Sequence, residues 1–236
     1  MKPGKIIEIL ADIFFPRACL GCRRHLETGI ICADCFATVP VRNTFFCGTC
    51  EARIPATAKI CHPETPALFG AAGFYDDPVL KTLIHNLKFR NIREAAGPLA
   101  ELMAKFISQT GLMSRTGRGE YNVVPVPLSR GRFFERGYNQ AEEIARRLAG
   151  RLSLPLLDDA LIKTKFTKAQ AETKNLAERR KNLAGCFAVK KPEAVHGKKI
   201  LLIDDVTTSG TTFMEAASAL KKAGARKIIA LAAAKA

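Results

Sequence analysis

Two adjacent acids run straight into a hydroxyl-rich turn at Asp204-Asp205-Val206-Thr207-Thr208-Ser209-Gly210-Thr211-Thr212. Carboxylates accept hydrogen bonds; hydroxyls and backbone N–H groups donate them. The turn offers five hydroxyls, at Thr207, Thr208, Ser209, Thr211 and Thr212, around Gly210, whose missing side chain lets the backbone approach a ligand closely. With the unpaired N–H groups of a following helix start, this makes an anion cradle best matched by a phosphate monoester. The acids would repel that phosphate if they faced it. They make sense facing vicinal sugar hydroxyls, with a divalent cation nearby. A ribose 5-phosphate unit satisfies both halves. An ordinary Ser or Thr N-cap would use one of the five hydroxyls and neither acid. No Gly-Lys-Ser/Thr follows, so this is not a Walker A loop.

A second basic element follows Val126: Pro127-Leu128-Ser129-Arg130-Gly131-Arg132-Phe133-Phe134-Glu135-Arg136-Gly137-Tyr138-Asn139-Gln140. Arg130, Arg132 and Arg136 in a loop at a strand end could converge on a diphosphate, where the guanidinium fork suits oxyanions. The polar stretch 163–182, with Lys163, Thr164, Gln170, Arg179, Arg180 and Asn182, reads as a flap over such a diphosphate or as a solvated excursion.

Seven of the eight cysteines lie between Cys19 and Cys61. Cys19/Cys22 and Cys32/Cys35 are two C-x-x-C knuckles, and together they close a four-thiolate tetrahedral site suited to structural Zn²⁺. Cys47 and Cys50 form a third knuckle, followed by a lone Cys61. A second ion would use Cys47, Cys50, Cys61 and either His62 or Glu64; otherwise the second site has decayed. About sixty residues with few large apolar groups bury little core, and zinc binding, of order 10–16 kcal/mol, offsets the missing burial. Cys186 reads as a small buried hydrophobe.

The elements that must position these groups follow from periodicity. Leu201–Ile203 is apolar without alternation, as in a strand covered on both faces. Phe213, Ala216, Ala217 and Leu220 recur at helical spacing behind it. Further strands are expected over 71–75, 122–126, 186–189 and 227–233, and further helices over 79–87, 95–109 and 138–152. Strands alternating with helices predict a parallel sheet flanked by helices, with ligands at the carboxyl ends of the strands. Pro55, Pro63 and Pro66 close the cysteine-rich start, giving units 1–66 and 67–236. Ile6, Ile9, Leu10 and Ile13 predict a short amphipathic helix and not a signal peptide. No stretch reaches the roughly 20 apolar residues of a membrane span, so the cytoplasm is the expected compartment. Lys+Arg 37 against Asp+Glu 22 gives a net charge of +15, which favours polyanionic partners such as phosphate-rich small molecules, nucleic acid or an acidic membrane surface.

The acid-and-hydroxyl run resembles the 5-phosphoribosyl 1-pyrophosphate (PRPP) signature of type I phosphoribosyltransferases. Taken with the cysteine-rich start, IHNLKF at 84–89, VPVPLSRGRFFERGYNQ at 124–140, KTKFTKAQ at 163–170 and RRKNLAGCF at 179–187, all in that order, the chain resembles the ComF family of competence-associated phosphoribosyltransferase-like proteins. The resemblance implies an α/β type I phosphoribosyltransferase fold preceded by a double zinc ribbon, and a link to DNA uptake in natural transformation. It implies that Asp204 and Asp205 hold the ribose hydroxyls. It also implies that the run Val206–Thr212 holds the 5-phosphate, that Pro127, Leu128, Ser129 and Arg130 approach the pyrophosphate, and that Lys88 and Arg136 belong to the same cleft. Mg²⁺ would accompany PRPP, and single-stranded DNA and a DNA-uptake helicase are the implied macromolecular partners. The family's second ribbon often ends in C-x-x-C, whereas this chain has Cys61 and Glu64. The acceptor of any phosphoribosyl transfer, the persistence of catalysis and the oligomeric state stay open.

Overall fold

A computed structural model describes residues 17–55, 61–62, 64–112, 121–164 and 185–236. The helix expected over Ile6–Ile13 and the polar stretch from 165 to 184 lie outside the described residues.

The elements run, in chain order, as α1 (Ala33–Ala37), β1 (Phe45–Phe46), β2 (Arg53–Ile54), β3 (Leu68–Phe74), α2 (Pro78–Phe89), α3 (Ala96–Gln109), β4 (Tyr121–Pro125), α4 (Arg130–Arg136), α5 (Gln140–Leu152), β5 (Leu161–Lys163), β6 (Phe187–Val189), α6 (Pro192–Val195), β7 (Lys199–Thr207), α7 (Thr211–Lys222) and β8 (Lys227–Lys235). Six strands form one sheet in the order β2-β1-β3-β8-β7-β4. β3, β8, β7 and β4 are mutually parallel; the β1–β2 hairpin adds to the β3 edge antiparallel, with Phe45 opposite Gly70. The cysteine-rich start therefore contributes two strands to the same sheet that carries the acids. No helix among the described residues is long and apolar enough to cross a membrane.

Alternation along β7 explains the two cores. Side chains of successive strand residues leave on opposite faces. Leu201 and Ile203 join Ile229 and Leu231 under α2, α3 and α5, whereas Ile200 and Leu202 join Ala230, Ala232 and the α7 residues Phe213 and Leu220. Burial on both faces is what makes the run apolar without a period of two. The helix α2 starts where Asp77 accepts a 2.8 Å hydrogen bond from Leu80 N and Pro78 occupies the first turn. Its buried Leu80, Leu83, Ile84 and Leu87 fix the face it turns to the sheet.

Three expectations need correction. The strand carrying the acids does not stop at Ile203: β8 supplies partners as far as Thr207 opposite Lys235, so the acids lie within β7. The residues 187–189 are not part of the parallel sheet. β6 pairs antiparallel with β5, Leu161 opposite Val189, in a separate two-stranded sheet. The basic stretch after β4 is not a loop; it folds as α4, closed by Gly137 at φ 75°.

Candidate functional site

β7 outlasts β4, whose last partner is Pro125 opposite Ile203. The final residues of β7 therefore have a sheet neighbour on the β8 side and an open cleft on the other. Asp204, Asp205, Val206 and Thr212 line this cleft from β7 and α7; Val126, Pro127, Leu128 and Ser129 line it from the end of β4. Lys88 enters from α2, Arg132 and Arg136 from α4, Asn139, Gln140 and Ala141 from the start of α5, and Lys163 and Phe187 from the small sheet.

The two acids sit in different electrostatic settings. Asp205 is buried and pairs with Lys88, Nζ to Oδ1 2.9 Å. Asp204 accepts the Asp205 N–H at 2.8 Å. Burial, and then the neighbouring Asp205 charge, push the Asp204 carboxyl up to about 7, against the opposing pull of Lys88 and Lys163. Lys163 is itself held below the usual ammonium range, chiefly by burial. Near neutral pH, Asp204 is thus an acid whose charge any donor hydroxyl or cation in the cleft would help to restore.

The Arg-Gly-Tyr-Asn-Gln run at 136–140 acts as a joint. Tyr138 donates its hydroxyl hydrogen bond to the Leu87 carbonyl of α2, and the Arg93 guanidinium lies 4.5 Å from its ring centroid. Asn139 caps α5 by accepting from Ala141 N at 3.1 Å, and its amide donates to the Val126 carbonyl at 3.0 Å. Gln140, 1% exposed, accepts from Arg136 Nη1 at 3.0 Å. Arg136 Nε and Gln140 Nε2 are buried and meet no acceptor among the described residues. Such donors are costly to leave unpaired, and both belong to the cleft wall.

Lys88, Pro127, Leu128, Ser129, Arg136, Asp204, Asp205, Val206 and Thr212 thus come together in one lining. Arg130 is not part of it and is exposed. Arg132 and Arg136 stand at i and i+4 on one side of α4, and two residues back along a helix is the opposite side. Of the other turn residues, Thr207, Gly210 and Thr211 are buried, Thr208 is exposed, and Ser209 Oγ lies 2.8 Å from Thr211 Oγ1. Gly210 has φ 73°, and a Cβ there would stand 3.1 Å from the Phe69 ring. Backbone geometry and Phe69 together require glycine at this position. The helix α7 begins at Gly210 without a side-chain cap.

Two groups of side chains could hold a metal ion: Cys19, Cys22, Cys32, Cys35, and Cys47, Cys50, Cys61, His62, each with ligand atoms within 4.8 Å of one another. A tetrahedral zinc with Zn–S near 2.3 Å sets neighbouring sulfurs about 3.8 Å apart. Cys22 and Cys32 sulfurs are 3.8 Å apart and those of Cys50 and Cys61 3.6 Å. His62 Nδ1 lies 3.4 Å from the Cys47 sulfur and 3.3 Å from that of Cys61. His62, and not Glu64, completes the second set. Burial opposes charge on Cys19, yet the N–H groups of Cys22, Cys32 and Gly21 outweigh it and hold the thiol down to about 6. Cys47 is held at about 6 in the same way, against burial, by the N–H groups of Cys50 and Thr49. Their partners bear the protons: Cys35 is pushed up to about 12, mainly by its hydrogen bond with Cys32, and Cys61 to about 11, mainly by Cys47. A soft cation replaces all of those protons at once, so both sets fit zinc.

The phosphoribosyl transferase domain family matches residues 135–236. Competence protein F of Haemophilus influenzae is 29% identical over 225 residues, covering 91% of this chain and 95% of that protein. DNA utilization protein YhgH of Salmonella typhimurium is 29% identical over 221 residues, 90% of this chain and 94% of that one. Competence protein ComFC of Streptococcus pneumoniae is 28% identical over 206 residues, 86% of each. Over most of its length the chain is thus similar to the competence proteins of the ComF family. Its fold is a phosphoribosyltransferase sheet flanked by helices, with a cysteine-rich start compatible with a zinc ribbon.

Sequence reasoning left several site residues without their place. Lys163, expected in a flap or a solvated excursion, stands on β5 and lines the cleft. Gln140 closes the Arg-Gly-Tyr-Asn-Gln run, but nothing local marks its amide as buried, and Phe187 looks like ordinary core. Arg132 and Arg136 could have been paired from their i, i+4 spacing before a glycine, which is a helix end and not a loop.

Proposed function

We propose that the cleft binds PRPP. Asp204 and Asp205 accept hydrogen bonds from the ribose hydroxyls, and the turn 207–212 with the start of α7 receives the 5-phosphate. Lys88, Arg132, Arg136 and the 127–129 stretch face the diphosphate, and Arg130 stands outside the lining. One observation carries this reading: buried donors on Arg136 and Gln140 that lack acceptors share a wall with two adjacent carboxylates at the open end of a parallel strand. An anionic sugar phosphate answers both. Mg²⁺, when bound with PRPP, would neutralise charge on the diphosphate. In a transfer reaction the bond from the anomeric carbon to the pyrophosphate oxygen breaks, the pyrophosphate leaves with the electron pair, and a nucleophile bonds to the carbon. The cations from α2, α4 and β5 stabilise the departing charge. The unit 67–236 carries this chemistry, and the unit 1–66 is held by structural zinc. The relatives' names, competence protein and DNA utilization protein, support a role in DNA uptake or utilisation; the reading sets this role in the cytoplasm, with a DNA-uptake helicase as partner. Calorimetric titration with PRPP and Mg²⁺ tests the reading: saturable binding is expected, lost in Asp204→Asn/Asp205→Asn. Absence of both heat and thermal stabilisation in the wild-type protein overturns it.

A second reading, single-stranded DNA at the cleft rim, is favoured by a cluster of exposed rings. Phe89, Phe133 and Phe134 are 61%, 47% and 84% exposed. The Arg136 guanidinium lies 5.4 Å from the Phe89 ring centroid. Aromatic platforms between cations suit stacked bases and a tracked backbone. Oligonucleotide affinity should fall steeply with salt and fall further in Phe134→Ala; a flat salt response rules this reading out.

A further inference from the structure

Phe69 is the second residue of β3 and is fully buried. Two turns of different origin close on its ring. Gly48, inside the Cys47–Cys50 knuckle, comes so near that a Cβ there would stand 2.1 Å from the ring, and Gly210, in the turn after β7, would place one at 3.1 Å. Phe213 of α7 packs on the same ring with centroids 5.6 Å apart. A second link runs beside the first. Lys235 Nζ, at the end of β8, donates to the Thr208 carbonyl at 2.9 Å and pairs with Glu51 Oε2 at 2.9 Å. Glu51 follows Cys50 directly and its N–H donates to the Cys47 carbonyl at 2.9 Å. The turn 207–212 is thus held twice, and both holds end in the second knuckle.

We propose that Lys235 is a positioning residue for the turn, and that closure of the Cys47, Cys50, Cys61, His62 set around a metal ion orders the turn through Phe69 and Glu51–Lys235. The second cluster then sets how tightly the cleft takes a phosphate monoester. The inference deepens the PRPP reading and rests on it for the ligand alone. A half-exposed ion pair is weak when isolated. Here the same ammonium also satisfies a turn carbonyl, so losing it frees backbone next to the proposed phosphate seat.

The test uses the full chain and two readouts: amide hydrogen exchange of residues 207–212 in ligand-free protein, and calorimetric affinity for PRPP with Mg²⁺. Lys235→Met should speed exchange in the turn and weaken PRPP by about three- to tenfold, the size of one exposed polar link. Lys235→Arg should restore both, and metal content should stay as in the wild type. Cys50→Ser should lose one metal equivalent per chain and give the same exchange signature, and adding Lys235→Met to it should change the turn little further. Turn exchange at the wild-type rate in Lys235→Met overturns the inference. If Cys50→Ser fails to fold, the Lys235 pair of variants still decides. If the wild-type protein takes no PRPP, the ligand reading fails while the exchange arm still judges the coupling.

Discussion

The two cysteine clusters use nearly the same ligands to different ends. The first is closed on itself. Cys19 N donates to the Arg24 carbonyl, Leu20 N to the Ile30 carbonyl and Cys32 N to the Cys19 sulfur, all within one short segment. Gly21 is held there because a Cβ would stand 2.8 Å from the Cys35 sulfur. Its contact with the larger core is through partly buried Leu20, Ile30, Ile31 and Phe36. The second cluster is built on the turn of the β1–β2 hairpin, whose strands belong to the main sheet. Cys47 is 1% exposed, Thr49 and Thr65 hydroxyls meet at 2.9 Å behind it, and Phe69 and Lys235 carry it to the phosphate-type turn. A metal knuckle can replace a missing core, or it can serve as a fixed point for something else. Which one it does depends on what packs against it, and not on its ligands.

The largest expected effect separates the two directly. Cys32→Ser removes a ligand from a segment with little core of its own, and zinc binding there is worth of order 10 kcal/mol. Protection from amide exchange should disappear across residues 17–42, while PRPP affinity stays within about a factor of two, as for sites without shared partners. Cys61→Ser should do the reverse, leaving 17–42 protected and loosening 207–212. If both variants loosen the same residues, the two clusters are one unit. A smaller effect runs through reciprocity. A ligand tightened by a metal must tighten that metal by the same factor. PRPP should therefore tighten one metal equivalent by about three- to tenfold, read as equilibrium competition with a chelator, and leave the other unchanged. Equal tightening of both equivalents, or of neither, would break the distinction.

Much of this was legible in the sequence, for physical reasons. Leu201–Ile203 had to be a doubly covered strand, and C-x-x-C spacing had to bring thiolates together. Lys88 came from the LKF element and is found paired with Asp205. The failures share a cause. The end of β7, the separate β5–β6 pair and the buried donor on Gln140 all depend on which strand or helix arrives from elsewhere in the chain. Nothing local announces that β8 continues to Lys235 and so keeps Asp204 and Asp205 inside a strand. The α4 helix was different: Arg132, Arg136 and Gly137 have the spacing of a helix and its end, a signal that is local. The choice between His62 and Glu64 needed three dimensions, because residues two apart cannot be ranked as ligands by spacing alone.

An effect of comparable size lies on the face of β7 turned away from Lys88. The unfolded chain ionises Asp204 near 3.8, whereas in the fold burial and then Asp205 raise it to about 7. Below the lower value both states hold the proton, and this residue contributes nothing to pH dependence. Between the two values the unfolded state gives up its proton and the folded state keeps it, so stability falls as pH rises, by at most about 1.4 kcal/mol per unit. Above the upper value the penalty is complete and constant. Asp204 keeps some solvent contact and shares its charge with Asp205, so a net gain of roughly 1–2 kcal/mol is expected for Asp204→Asn at pH 8, and none at pH 4. Thermal unfolding at the two pH values checks this, with a rise of about 2–8 °C at pH 8. PRPP affinity should fall in the same variant, because a neutral amide is a poorer acceptor for ribose hydroxyls. Extraction of metal from either cluster, and exchange in 207–212 without ligand, should not change. A shift in turn exchange in Asp204→Asn would mean that the cleft acids, and not the second knuckle, hold the turn in place.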